Sequence, residues 1–258
     1  MTRCATNTFS RWLLVASGSF CLTAFPALAA DTDGTAAPAP NPDAPILGPA
    51  VLSVAPIRVE LEGDESGATV RLSNASDHAL PVQTRLFAWS QENGEDVYAP
   101  SSELVVSPSI VSIPAGETQV VRVLRKGTAS PGEKRFRLVV DQLPDPTTMR
   151  PGQAQTRIRF TVPVFVDRDK AAPAQFAWRM TKTGLELVNS GGLTARILDV
   201  KVTANGRDVP VEDNTLRYVM GNSTIAWPVG NGCALGPVKV TAQIDGQTVD
   251  GSATPACA

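Results

Sequence analysis

Histidine is almost missing from this chain: His78 stands alone among 258 residues. Zinc sites of the usual ligand types and Ser-His-Asp arrangements both draw on imidazole, so neither a metal centre nor a triad hydrolase has material to build from. His78 sits in a Ser76-Asp77-His78-Ala79 turn and reads as a solvated loop residue. Acids occur in close pairs, Asp64 with Glu65 and Glu92 with Glu95, but in turn-rich polar stretches where exposed carboxylates are ordinary. The glycines of residues 230–236 resemble a phosphate loop only loosely: the final spacing is wrong and no helical pattern follows. No catalytic residue, metal ligand or cofactor is expected.

A basic excess is lacking too. Lys plus Arg number 23 against 25 acids, for a net charge of −2, which leaves no electrostatic footprint for nucleic acid or anionic lipid. Beyond the first thirty residues nothing stays apolar for the roughly 18 positions that a membrane helix needs. Neither nucleic-acid binding nor membrane insertion is expected. Cysteine is sparse, with Cys4, Cys21, Cys233 and Cys257 only.

The first thirty residues read as a signal peptide: Arg3 and Arg11, an apolar stretch over residues 12–25, and Ala27-Leu28-Ala29 as a small-x-small cleavage site. Its removal takes two arginines and two cysteines, moving the net charge from −2 to −4 and leaving Cys233 and Cys257. In an oxidising compartment that pair forms one disulfide; the alternative is two free thiols. Residues 31–50 are rich in proline and alanine without periodicity, as in a disordered leader.

From residue 51 the pattern has period two. Ile57, Val59 and Leu61 alternate with Arg58, Glu60 and Glu62; Ala68, Val70 and Leu72 with Thr69, Arg71 and Ser73; Phe136, Leu138 and Val140 with Arg135, Arg137 and Asp141. Turn signals such as Glu92-Asn93-Gly94 and Pro114-Ala115-Gly116 separate these runs, and no window holds a helical stripe. Residues 112–124 read as a hairpin strand whose turn is shaped by Pro114 and Gly116. A charged stretch ending in Pro173 marks a boundary, after which short strands resume with Asn205-Gly206 and Asp245-Gly246 as type I′ turns. The expectation is an all-β chain of two sandwich domains, residues 51–168 and 173–258.

Residues 155–166, QTRIRFTVPVFV, carry an unusually apolar face on a long strand interrupted by Pro163. Proline cannot donate to a ladder and is confined mainly to edges, strand starts and bulges, so this strand is expected to have an unpaired side. Such an edge is an aggregation hazard unless it serves β-augmentation by a partner's extended segment. The competing reading is a plain core strand whose apolar face packs inward.

Four stretches together resemble the periplasmic chaperones of the chaperone-usher pathway, which assembles surface pili: VLSVAPIRVELEGDESGATVRLSNAS, SPSIVSIPAGETQVVRVLR, EKRFRLVVDQLP and RIRFTVPVFV. The resemblance implies immunoglobulin-like domains set at an angle around a cleft, a periplasmic location, and pilus subunits (pilins) and an outer-membrane usher as partners. It implies donor-strand complementation, a known case of strand addition, with Ile158, Phe160, Val162 and Val164 as donor positions. It also implies a basic anchor for the C-terminal carboxylate of the pilin. Arg58 matches the first-strand arginine, and the alternative is an exposed pair with Glu60 or Glu62. Pro163 stands where many members carry a lysine, so the second cation passes to Arg85, Arg122 or Arg159. The sequence resembles the divergent members serving spore-coat-like or archaic pili. A rival class, a pilus subunit or adhesin, would need an N-terminal segment of alternating large apolar residues, and residues 31–50 have none.

Overall fold

The computed structural model describes residues 47–127, 131–145 and 156–256, all within one unit spanning Pro40–Ala258. The expected signal peptide, most of the Pro/Ala leader and Cys257 lie outside the described residues.

Ten strands build the first sandwich: β1 (Leu52–Ala55), β2 (Val59–Leu61), β3 (Gly67–Asn74), β4 (Leu80–Glu92), β5 (Glu95–Pro100), β6 (Leu104–Ser107), β7 (Ile110–Ile113), β8 (Thr118–Arg125), β9 (Lys134–Gln142) and β10 (Arg159–Val166). One sheet has the order β1-β3-β8-β6; the other runs β2-β10-β9-β4-β5, with β7 also paired to β4. The period-two alternation places one apolar set per strand between the sheets: Val70 and Leu72, Val121 and Val123, Phe136, Leu138 and Val140 are all buried there. Burying each such side chain is worth roughly 1.5–3 kcal/mol, which makes this shared interior the main support of the sheets.

Two expectations need correction. Residues 112–124 do not form a hairpin: β7 pairs with β4 while β8 pairs with β3 and β6, so the chain crosses from one sheet to the other. The turn is as expected, closed by the Glu117 N–H donating to the Pro114 carbonyl (3.2 Å) with Gly116 at φ 73. Local turn chemistry fixes the reversal, but the partner of each arm is chosen by distant strands. Secondly, Ile57 does not join Val59 and Leu61 in the core; it is 74% exposed.

The second sandwich comprises β11 (Phe176–Met180), β12 (Leu185–Asn189), β13 (Ala195–Ala204), β14 (Arg207–Val209), β15 (Arg217–Val219), β16 (Ser223–Trp227), β17 (Val238–Ile244) and β18 (Gln247–Ala253). Its sheets are β11-β12-β16 and β14-β13-β17-β18, the latter with β15 paired to β13. Both expected type I′ hairpins form, with positive φ at Asn205 (50°) and Gly206 (77°) and at Asp245 (49°) and Gly246 (84°). The expectation of an all-β chain with two immunoglobulin-like sandwiches holds. The glycine-rich stretch before Gly236 folds as a short 3-10 turn, Gly232–Leu235, and Cys233 within it is disulfide-bonded.

The sandwiches meet through two clusters. Glu133, just before β9, has a side chain with no solvent exposure. Its carboxylate takes hydrogen bonds from Arg135 (2.7 Å), Arg168 and the Thr194 hydroxyl, and from the Thr194 backbone N–H (3.0 Å). Arg135 and Arg168 continue to the Gly192 and Thr194 carbonyls at 3.0 and 3.1 Å. On the other side, Trp89 and Phe165 of the first sandwich pack with Met220 and Tyr218 of the second. There Gln91 behaves like an extra strand residue, donating to the Tyr218 carbonyl (2.7 Å) and accepting from the Met220 N–H (3.0 Å).

Candidate functional site: an open strand edge and a basic cleft

β10 is held unequally on its two sides. Along its whole length it pairs antiparallel with β9, from Arg159 opposite Asp141 to Val166 opposite Lys134. On the other side β2 joins it, parallel, only from Val164 to Val166. Among the described residues nothing pairs with that side over residues 159–162.

Two hydrogen bonds fix which backbone groups face the opening. The Gln142 N–H donates to the Ile158 carbonyl (2.9 Å), so even-numbered residues of this strand exchange bonds with β9. The Asp167 N–H donates to the Leu61 carbonyl (2.9 Å), so odd-numbered residues turn their groups toward β2 and its upstream extension. Arg159 and Thr161 thus present N–H and C=O to the vacant side. Pro163, the next odd position, brings no N–H to it.

The four expected donor side chains lie on the core face of β10 and divide into two pairs. Val162 and Val164 are enclosed in their own sandwich, while Ile158 and Phe160 only pack against its margin and remain partly exposed. A side chain already surrounded by its own core has no surface left to lend. The lendable apolar surface is therefore that of Ile158 and Phe160, next to the open backbone.

The opening leads into a cleft of about 540 Å³ between the sandwiches, whose lining includes Ile57, Thr161, Pro163 and Tyr98. Four arginines line it as well, Arg58, Arg137, Arg196 and Arg217, against the two acids Glu95 and Asp96. In a chain of net charge −2 this is a local positive field. Arg58 lies 4.8 Å over the Phe165 ring, hydrogen-bonds Glu60 at 2.6 Å, and reaches 4.0 Å from Asp245 of the second sandwich. Arg58 thus makes the alternative pairing with Glu60 that the sequence offered, and it also lines the cleft.

Arg137 is the deeper cation. Its side chain is only 10% exposed, its guanidinium stacks 3.6 Å from the Trp89 ring and 5.1 Å from Tyr218, and Asp96 is 3.7 Å away. Among the described residues its buried Nε has no hydrogen-bond partner, and neither has the Nε of Arg196. Buried donors of this kind are costly unless something accepts from them, and an incoming carboxylate is a chemically suitable acceptor. Burial and the adjacent Asp96 carboxylate push the Tyr98 hydroxyl upward, which keeps it a neutral donor at the rim.

None of Arg85, Arg122 and Arg159, the expected second cations, lines this cleft. Arg85 and Arg159 clasp Asp141 on the sheet surface, and Arg122 stands on β8 in the opposite sheet. Period two hinted at Arg137, since it alternates outward from Phe136 and Leu138, but only the stacking on Trp89 distinguishes it from other outward arginines. His78 is hydrogen-bonded to its neighbour Asp77 (2.6 Å). Among the described residues no group of three His, Cys, Asp or Glu gathers as metal ligands would, and no helix is long and apolar enough to cross a membrane.

Residues 51–171 match the family of pili and flagellar-assembly chaperones, over its PapD N-terminal domain. That match spans the first sandwich. No curated protein sequence matches the chain, but solved structures share its fold across both sandwiches. A chain of the CsuC–CsuE chaperone–tip adhesion subunit pre-assembly complex, from archaic chaperone-usher Csu pili of Acinetobacter baumannii, is 21% identical. The match covers 80% of this chain and 99% of that one, at a TM-score of 0.61. A chain of the Salmonella enterica SafA pilin–SafB chaperone complex is 17% identical, covering 79% and 96% at 0.55. The Pseudomonas aeruginosa CupB2 chaperone is 17% identical, covering 79% and 100% at 0.55. Within the matched residues the open edge belongs to the last strand of the first sandwich, and the basic cleft lies where that strand meets the second sandwich.

Proposed function

We propose that this chain is a non-enzymatic periplasmic chaperone for pilus subunits, which it holds by donor-strand complementation and passes to an outer-membrane usher. The observation that carries the reading is the half-open β10, whose unpaired stretch beside Ile158 and Phe160 leads into an arginine-lined cleft. The match over residues 51–171 and the likeness to chaperones solved with their subunits support it.

In this mechanism the unfinished sheet of the pilin pairs with Arg159 and Thr161 while Ile158 and Phe160 enter its groove. Two such side chains contribute roughly 3–6 kcal/mol of burial before association costs are subtracted. The C-terminal carboxylate of the pilin enters the cleft, where Arg58 and Arg137 offer planar donors. The hydrophobic pairing supplies affinity, and the charged anchor sets where along β10 the pilin docks.

The test is capture of pilus subunits from periplasmic extract by the wild-type chain and by Ile158→Asp/Phe160→Asp. The wild type is expected to retain a soluble 1:1 complex and the double variant, still folded, to lose it. Capture at wild-type yield by the double variant overturns the donor assignment.

A further inference from the structure

Pro163 occupies the one position of β10 at which the intramolecular partner stops. Extending the parallel register upstream, position 163 would donate to the Ile57 carbonyl and the Ile57 N–H would donate to the Thr161 carbonyl. The first of these bonds has no donor, because position 163 is proline. β2 accordingly begins at Val59, two residues later. Ile57 and Arg58 bend away instead, Ile57 to 74% exposure, and both line the cleft.

We propose that Pro163 is a pairing stop that prevents β2 from zipping further along β10 and so keeps the Thr161 carbonyl open for a partner strand. This rests on the reading of β10 as the lent strand, and it adds the device that keeps the edge vacant in the free protein. Without it, the segment best placed to occupy the opening is the chain's own, already aligned in register by Val59 to Leu61 and present at high effective concentration. An intramolecular strand of that kind would cover the Thr161 carbonyl and draw Ile57 and Arg58 out of the cleft. Pro163 excludes this by removing one hydrogen-bond donor, while its own side chain stays buried against the sheet.

Hydrogen exchange on the full chain tests the device without any partner. In Pro163→Ala and Pro163→Thr the restored N–H at position 163 lets β2 extend, and the Ile57 amide is expected to exchange at least tenfold more slowly than in the wild type. Unchanged Ile57 exchange in both variants overturns the proposal, as does loss of the wild-type far-ultraviolet circular dichroism, which would make the proline a structural necessity instead. A second arm measures affinity for the pilin that the wild type captures. The variants are expected to bind about tenfold more weakly, the equilibrium weight of one to two contested hydrogen bonds. Slower exchange with unchanged affinity would leave the pairing stop standing and refute the lent-strand reading. If the wild type captures no pilin, the functional reading fails while the exchange arm still decides the role of Pro163.

Discussion

Removing the Glu133 carboxylate should loosen the union of the two sandwiches more than any other single change at their junction. In Glu133→Ala, Arg135 and Arg168, whose side chains are only 20% and 14% exposed, lose their common anion. Breaking a buried ion pair by deleting one partner costs about 3–5 kcal/mol, because the surviving charge stays desolvated. Both arginines keep carbonyl partners, Gly192 at 3.0 Å and Thr194 at 3.1 Å, which places the cost near the lower end. For a chain of this size, about 3 kcal/mol lowers the melting temperature by roughly 6–12 °C. Differential scanning calorimetry is the suitable assay, since two domains need not unfold together. The expected outcome is a lower first transition and separation of one peak into two. Glu133→Gln, which keeps the shape and some of the hydrogen bonds, should fall between. A Glu133→Ala variant melting within about 1 °C of the wild type, in a single transition, would refute the view that this carboxylate couples the sandwiches.

Two further predictions concern charge. Arg137→Lys keeps the charge but loses the planar stack on Trp89 and the fork that suits a carboxylate. The wild type is expected to prefer a peptide from the pilin C-terminus with a free carboxylate over its amide, and in this variant that preference, read by titration calorimetry, should fall about tenfold. An unchanged preference removes Arg137 from the anchor. Asp141 is pulled two ways: burial raises its carboxyl, but hydrogen bonds from Arg159 and Arg85 prevail and hold it below the usual range. A depressed carboxyl stabilises the fold above the unfolded value of about 3.9, and the contribution is lost as the pH falls through the lower folded value. Wild type and Asp141→Asn, compared by denaturant unfolding across pH, should therefore differ at neutral pH and converge under strong acid; a constant gap would contradict this.

The sandwich class, the inward-facing strand residues and the two type I′ hairpins were legible in the sequence because each depends on spacing within a few residues. What escaped it depends on pairing between distant segments. Nothing in residues 112–124 says that β7 and β8 join different sheets. The exposure of Ile57 follows from Pro163, more than a hundred residues away, so the alternation Ile57-Val59-Leu61 overstates β2 by two residues. The same limit applies at the cleft. Arg85, Arg122, Arg137 and Arg159 are all outward arginines on strands, and only the lateral pairing of β9 with β4 and β10 sets Trp89 beneath Arg137 and Asp141 between Arg85 and Arg159. Pro163 itself was informative, since its missing donor pointed to a partly unpaired strand, which the sequence still had to weigh against a plain core strand.

The half-open state of β10 also answers the objection that an apolar edge should cause aggregation. The vacant run is short, carries Arg159, and ends at a proline, all features that discourage pairing with another copy. Below Pro163 the strand is closed by β2, and Val162, Val164 and Val166 root it in the core. A strand rooted at one end and fixed along one side has already met most of its ordering cost in the free protein. A segment adding to the open side then orders mainly itself, and more of the binding energy from Ile158, Phe160 and the backbone appears as affinity. The burial of Val162 and Val164, which at first counts against their serving as donors, is what holds the neighbouring positions in an extended, lendable form.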